Sequence, residues 1–98
     1  MQYVFVRWLH DDASDPILLY SELGDDRFET RKVEIFIDGR IGLADDDFEH
    51  GGTSLGDQPI PELEEIAADP EDFQPQEIRR VEFEAIWCLA CRSAGYAP

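Results

Sequence analysis

The sequence predicts an α+β fold, with a four-stranded antiparallel β-meander packed on one face by a C-terminal helix and a short extra helix beside it. Two observations predict this class. Runs of β-branched and aromatic residues, separated by turn formers, occupy the first half of the chain, and apolar residues at helical spacing occupy its end. The 98 residues suffice for a single domain around one hydrophobic core, so the whole range 1–98 is expected to fold as one unit.

The first two strands are predicted over residues 2–9 and 17–23. The first run carries apolar side chains on both of its faces, which indicates an inner strand of the sheet. Residues 10–16 are rich in turn formers and end in Pro16, so they are expected to form the connection.

The next two strands are predicted over 27–38 and 40–44. Asp38-Gly39 lies between two apolar runs and predicts a hairpin with a type I′ turn. In the longer strand, Arg27, Glu29 and Arg31 alternate, which predicts that they share one face and pair with Glu22 as a structural ion network.

Residues 45–72, here called the acidic segment, contain eleven Asp and Glu residues and no Lys or Arg. We expect an acidic loop with one short helix over 61–67, because Pro61 suits the first position of a helix and acids follow it in the first turn.

A final helix is predicted over 75–92, starting at Pro75 and closed by Gly95. Phe83 and Trp87, four residues apart, form a second apolar stripe on this helix. Together with the first stripe, they predict a helix that lies across the sheet with a wide buried face. The first stripe consists of Ile78, Val81, Ala85, Ile86 and Leu89.

The formal net charge of −15 opposes binding to nucleic acid and to anionic membranes, so neither is an expected partner. No apolar stretch is long enough to span a bilayer, and the N-terminal run is too short for a signal peptide. Two cysteines are too few for a secreted disulfide framework, so a cytoplasmic location is expected.

No arrangement of residues indicates catalysis, a metal site or a bound cofactor, and the chain is predicted not to be an enzyme. Cys88 and Cys91 match a thioredoxin-like pattern, but they lie near the end of a predicted helix, where the dipole disfavours a thiolate. They are expected to be unreactive thiols in or near the core. Residues 45–50 lack the alternation and the central glycine of a calcium loop.

Several motifs together resemble a family of small acidic bacterial proteins known only as a domain of unknown function. The run from Glu29 to Arg40 is the most specific of them. The resemblance extends from Tyr3 to Trp87, and it implies no activity. Its motifs are Trp8-Leu9-His10, Tyr20-Ser21-Glu22-Leu23, Arg27–Arg40 and Phe83–Trp87.

In size and charge the chain is similar to immunity proteins of bacterial toxin systems and to phage inhibitors. We therefore expect a protein that binds and neutralises a basic protein partner, such as a toxin, a nuclease or a nucleic-acid-binding complex. One alternative is a phage-encoded, anti-CRISPR-like inhibitor that mimics nucleic acid at a basic groove. Another is a small-molecule or metal-binding domain near Trp8, His10 and Arg31.

The acids of the acidic segment are expected to form one contiguous exposed surface, with two apolar residues as anchors. The predicted partner-binding residues are Asp45, Asp46, Asp47, Phe48, Glu49, Leu55, Asp57, Glu62, Glu64, Glu65, Asp69, Glu71 and Asp72.

Overall fold

A computed structural model describes residues 1–98, which fold as six antiparallel strands and two helices. The sheet has the order β5-β4-β3-β2-β1-β6. The elements are β1 (Gln2–Trp8), β2 (Pro16–Leu23), β3 (Glu29–Phe36), β4 (Ile41–Ala44), β5 (Glu49–His50), α1 (Leu63–Ile66), β6 (Phe73–Ile78) and α2 (Arg80–Ala94).

The α+β class and the β1–β4 meander are confirmed, but the prediction of four strands is wrong. The very short β5 pairs with β4 at one edge of the sheet. At the other edge, β6 pairs with β1 across six residue pairs, from Tyr3↔Ile78 to Trp8↔Phe73. The meander's strands are also slightly shorter than predicted at several ends.

Residues 75–78 belong to β6, so the prediction that the final helix begins at Pro75 is wrong. Proline in an edge strand is tolerated, because only one side of that strand needs ladder hydrogen bonds. Pro75 lies opposite Val6 in the ladder. Helix α2 begins at Arg80, and the Glu82 carboxylate accepts a hydrogen bond of 2.9 Å from the Arg79 backbone N–H. Gly95, with φ of 69°, closes the helix as expected.

The hairpin at Asp38-Gly39 is confirmed, but its turn is not type I′. Only Gly39 has a positive φ, of 87°. The Gly39 N–H donates to the Phe36 carbonyl and the Phe36 N–H donates to the Arg40 carbonyl. This pattern matches a three-residue hairpin loop that ends in one left-handed residue.

The hydrophobic core lies between α2 and one face of the sheet, here called the helix face. The predicted stripe of α2 is wrong at two residues, because Val81 is 62% exposed and Leu89 is 49% exposed, whereas Ile78 and Ile86 pack against the core cluster. Phe83 and Trp87, the second predicted stripe, are buried as expected. The core cluster consists of Tyr3, Val33, Leu43, Phe83, Trp87, Ala90 and Cys91.

Candidate functional site

The acidic segment crosses the sheet face that α2 leaves open, here called the segment face. It leaves β4, turns through β5 at one edge of the sheet and ends where β6 begins at the other edge. The Thr53 hydroxyl donates to Glu34 of β3 at 2.7 Å, and the Gly56 N–H donates to Glu29 at 2.8 Å. These two hydrogen bonds hold the middle of the segment against the sheet.

Arg27 ties the second half of the acidic segment to the loop between β2 and β3. Its Nε donates to the Ile60 carbonyl and its Nη2 to the Pro61 carbonyl, both at 2.8 Å. The Ile60 N–H donates back to the Arg27 carbonyl at 2.9 Å. Arg27 holds a left-handed conformation, with φ of 65°, which L residues other than Asn and Asp rarely adopt.

A buried polar network lies under the acidic segment on the segment face. The Glu29 side chain is only 2% exposed, and its carboxylate accepts hydrogen bonds from the Ser21 hydroxyl at 2.9 Å and from Gly56. The Lys32 ammonium lies 3.3 Å from Glu29 and 3.7 Å from Glu34. All buried side-chain polar atoms of the molecule have hydrogen-bond partners, so this network is fully satisfied.

Sequence reasoning placed Glu29 on the same face as Arg31, and the structure shows that this is wrong. In the ladder between β2 and β3, Glu22 pairs with Arg31, but the next residue, Leu23, pairs with Glu29. The strand β3 therefore has one extra residue, Thr30, at this point. The extra residue rotates Glu29 to the segment face, while Arg31 stays on the helix face. Arg27 lies outside the strand altogether.

The predicted ion pair between Arg31 and Glu22 is confirmed, at 2.6 Å. Arg31 also binds Glu84 of α2 through two hydrogen bonds of 2.9 Å, and its guanidinium lies 5.0 Å from the centre of the Phe83 ring. The hydrogen bonds from Arg31 hold the pKa of Glu22 at about 2. This network joins β2, β3 and α2 and is structural.

The alternative site at Trp8, His10 and Arg31 is not assembled. Trp8 and His10 contact each other, with ring centroids 4.5 Å apart, and the His10 Nε2 hydrogen-bonds the Pro16 carbonyl at 2.8 Å. Trp8 lies on the segment face, whereas Arg31 lies on the helix face among the rings of α2. The sheet therefore separates these residues.

A pocket of about 600 Å³ lies between the segment face and the acidic segment. Its floor consists of apolar residues of β1 and β2, and the stacked rings of Trp8 and Phe73, 5.8 Å apart, stand at one end. Residues of the acidic segment cover it from above. The lining is formed by Val4, Val6, Trp8, Leu19, Ser21, Glu29, Lys32, Ile60, Pro61, Glu65, Ile66, Asp69 and Phe73.

Sequence reasoning missed this pocket, although a signal for it was present. Val4, Val6 and Trp8 alternate with the apolar residues of the other face of β1. A strand that is apolar on both faces needs a cover on both, and the predicted fold supplied only one. The acidic segment supplies the second cover, and it does so incompletely.

Ten of the eleven carboxylates of the acidic segment are exposed, and Asp45 is half-buried. Only Glu62 is in an ion pair, at 3.5 Å from Arg27. Asp45 accepts a hydrogen bond of 2.8 Å from the Tyr96 hydroxyl, which raises the pKa of Tyr96 to about 12. No Lys or Arg of the chain forms an ion pair with the other carboxylates of the segment.

These carboxylates do not gather at one point, and they extend from one edge of the sheet to the other. Asp45 and Glu49 lie at the β5 edge, whereas Asp72 lies at the β6 edge. Six strands at a spacing of about 4.8 Å separate the two edges by about 24 Å. The acids follow the path of the segment as a band across the molecule.

The two predicted apolar anchors have different surroundings. Phe48 stacks on Tyr96, with centroids 4.2 Å apart, and packs against the core cluster. It therefore helps to hold the C-terminus in place. Leu55 is half-buried in the middle of the acidic segment.

The two cysteines also differ, and the prediction that both lie in or near the core is wrong for Cys88. Cys91 is 7% exposed, and burial raises the pKa of its thiol. Cys88 is exposed, and its Sγ lies 3.6 Å from the Arg92 guanidinium. The face of α2 that carries Cys88 points away from the sheet.

Comparisons with known proteins give a family and no activity. The family described as Domain of unknown function (DUF6881) matches residues 2–92, so the chain belongs to this family. No curated protein and no solved structure matches the chain. None of its helices is both long and apolar enough to cross a membrane.

Proposed function

We propose that this member of the family is a non-enzymatic acidic protein that binds and neutralises a basic protein partner through its acidic segment. The observation that carries the proposal is the unneutralised charge of this segment, in which only Glu62 has an ion-pair partner. Unpaired carboxylates on an exposed surface are free to attract the cations of another molecule.

Five of the eight Lys and Arg residues of the chain pair with acids outside the acidic segment, which supports this proposal. Arg31 pairs with Glu22 and Glu84, and Lys32 pairs with Glu29 and Glu34. The other ion pairs outside the segment are Arg40–Asp38, Arg79–Glu82 and Arg80–Glu84.

The band of carboxylates also indicates how such binding would work. Long-range attraction accelerates the encounter of oppositely charged proteins, while apolar contacts slow their dissociation. Screening acts over about 8 Å at physiological ionic strength, so the association should depend strongly on salt. Leu55, which is half-buried in the acidic segment, and the apolar residues around the pocket are available for such contacts.

The test uses binding kinetics with a basic partner, beginning with the protein encoded by the neighbouring gene. The variant Glu64→Gln/Glu71→Gln removes two exposed, unpaired carboxylates of the segment. The matched control, Asp11→Asn/Asp25→Asn, removes two exposed carboxylates outside the segment. We expect the first variant to slow association about two- to fivefold at low salt, and the control to have a smaller effect.

Equal association rates for the two variants would contradict the proposal. Competition by duplex DNA for the same partner would favour the nucleic-acid-mimic alternative, because both ligands would then occupy one basic groove. Binding of the free protein to DNA or to anionic vesicles should be undetectable, given its net charge of −15.

A further inference from the structure

We propose that the pocket between the segment face and the acidic segment binds a small organic cation with an apolar body, such as an arylalkyl amine. Its volume of about 600 Å³ lies within the range of ligand pockets, about 300–1,000 Å³. This inference does not depend on the proposed protein partner.

The apolar part of the pocket would hold the body of such a ligand. Val6 and Leu19 are cross-strand neighbours on the floor, and both are only half-buried although they lie near the middle of the sheet. The rings of Trp8 and Phe73 at one end offer a flat surface on which an aromatic group can pack. A ligand there removes apolar protein surface from water, which favours binding.

The inner end of the pocket excludes an anionic ligand. Lys32 is the only cationic residue of the lining, and its ammonium is already bound by Glu29 at 3.3 Å and Glu34 at 3.7 Å. Glu29 has its full set of partners, since Ser21, Gly56 and Lys32 surround its carboxylate. An anion would have to break this network to reach the ammonium.

The rim of the pocket favours a cation. Glu65 and Asp69 line it, and both are exposed and without an ion-pair partner in the chain. Asp72 raises the pKa of Asp69, through a hydrogen bond between the two carboxyl groups and through repulsion between their charges. A cation bound beside Asp69 would favour the charged form of its carboxylate.

The residues that stand over part of the pocket make it a partly covered cleft, which suits a small molecule. Ile60, Pro61 and Ile66 stand over the sheet floor, and Arg27 fixes the first two of them through their carbonyls. A single-ring amine is small enough to enter this partly covered cleft and to contact the floor.

The test compares four probes by titration, followed in amide NMR spectra. The probes are 2-phenylethylamine, 2-phenylethanol, 3-phenylpropanoate and methylamine, which separate the apolar body from the charge. We expect 2-phenylethylamine to bind at least about tenfold tighter than 3-phenylpropanoate. The two rim carboxylates attract the ammonium group of the amine and repel the carboxylate group of 3-phenylpropanoate. The shifts should centre on Val6, Leu19 and Phe73. Methylamine, which lacks the apolar body, should give no saturable shift at these positions.

Two variants and one control locate the binding. Glu65→Gln/Asp69→Asn should weaken the affinity for 2-phenylethylamine about two- to fivefold per charge removed, and it should leave the affinity for 2-phenylethanol unchanged. Leu19→Trp should fill the floor and abolish binding of the amine and the alcohol alike. The control Glu64→Gln/Glu71→Gln removes two carboxylates of the same segment that do not line the pocket, so it should leave amine binding within about twofold of wild type.

Equal affinity for the amine and the carboxylate would overturn the proposal, as would shifts confined to other parts of the surface. No saturable shift with any of the probes would overturn it as well. The variant Glu64→Gln/Glu71→Gln distinguishes failure of this proposal from failure of the proposed function. It is expected to slow association with a basic protein partner and to leave binding of 2-phenylethylamine unchanged.

Discussion

At the scale of single residues, Arg31 of β3 connects two other elements of the fold, β2 and α2. It connects Glu22 of β2 with Glu84 of α2 and lies over the rings of Phe83 and Trp87. Because a charge-assisted hydrogen bond holds the folded pKa of Glu22 at about 2, below its ordinary value of 4.5, the carboxylate stabilises the folded state above pH 4.5. This stabilisation is lost as the pH falls through about 2.

We therefore expect the cost of Glu22→Gln to depend on pH. Chemical denaturation should show the largest loss of unfolding free energy near neutral pH, and the difference from wild type should shrink between pH 4.5 and about 2. Glu77→Gln is the control, since Glu77 is exposed and forms no ion pair. If the difference in unfolding free energy between wild type and Glu22→Gln stayed constant with pH, the charge of Glu22 would not be the source of its stabilisation.

A second prediction at the scale of residues concerns Arg27, whose backbone conformation and side-chain hydrogen bonds affect stability separately. Arg27→Gly removes the cost of the left-handed conformation, and Arg27→Ala keeps it, so the Gly variant should be about 0.5–1 kcal/mol more stable than the Ala variant. Both variants lose the hydrogen bonds to Ile60 and Pro61. Hydrogen exchange at Ile60 should be faster in both than in wild type, and unchanged exchange would contradict the role of Arg27 as the tie of the acidic segment.

At the scale of elements, helix α2 shows how orientation decides which apolar stripe becomes core. Phe83→Ala should cost about 3–5 kcal/mol of unfolding free energy, because Phe83 is fully buried. Val81→Ala should change it by no more than about 0.5 kcal/mol, because Val81 is 62% exposed. Urea denaturation of the two variants measures both values, and similar costs would mean that α2 packs with another face.

At the scale of the whole molecule, charge repulsion limits stability. With a net charge of −15, added NaCl should raise the melting temperature, because screening weakens the repulsion between carboxylates. A gain of about 1 kcal/mol corresponds to about 4–8 °C for a domain of this size.

The variant Glu64→Gln/Glu71→Gln should melt higher than wild type at low salt and respond less to NaCl. A melting temperature that falls as NaCl is added would instead mean that the ion pairs of the folded state outweigh its repulsions.

The sequence alone was sufficient for the local features of this protein. The alternation and turn formers of residues 2–44 determined the β-meander, and the composition of 45–72 determined an exposed acidic segment. The pairing of Arg31 with Glu22 was also predicted, because opposite charges on two neighbouring strands attract each other. In each case neighbours along the chain, or across one hairpin, supply the interaction.

Tertiary structure decided the rest, because those features depend on contacts between distant parts of the chain. Residues 73–78 became a strand only because β1 offered a free edge, which outweighed the helix signal of Pro75. One shift of register moved Glu29 to the opposite face of the sheet from Arg31. The pocket exists because the acidic segment covers that face only in part, and its shape depends on hydrogen bonds from Arg27 to residues more than 30 positions away. A local pattern of residues does not predict hydrogen bonds between residues so far apart in the sequence.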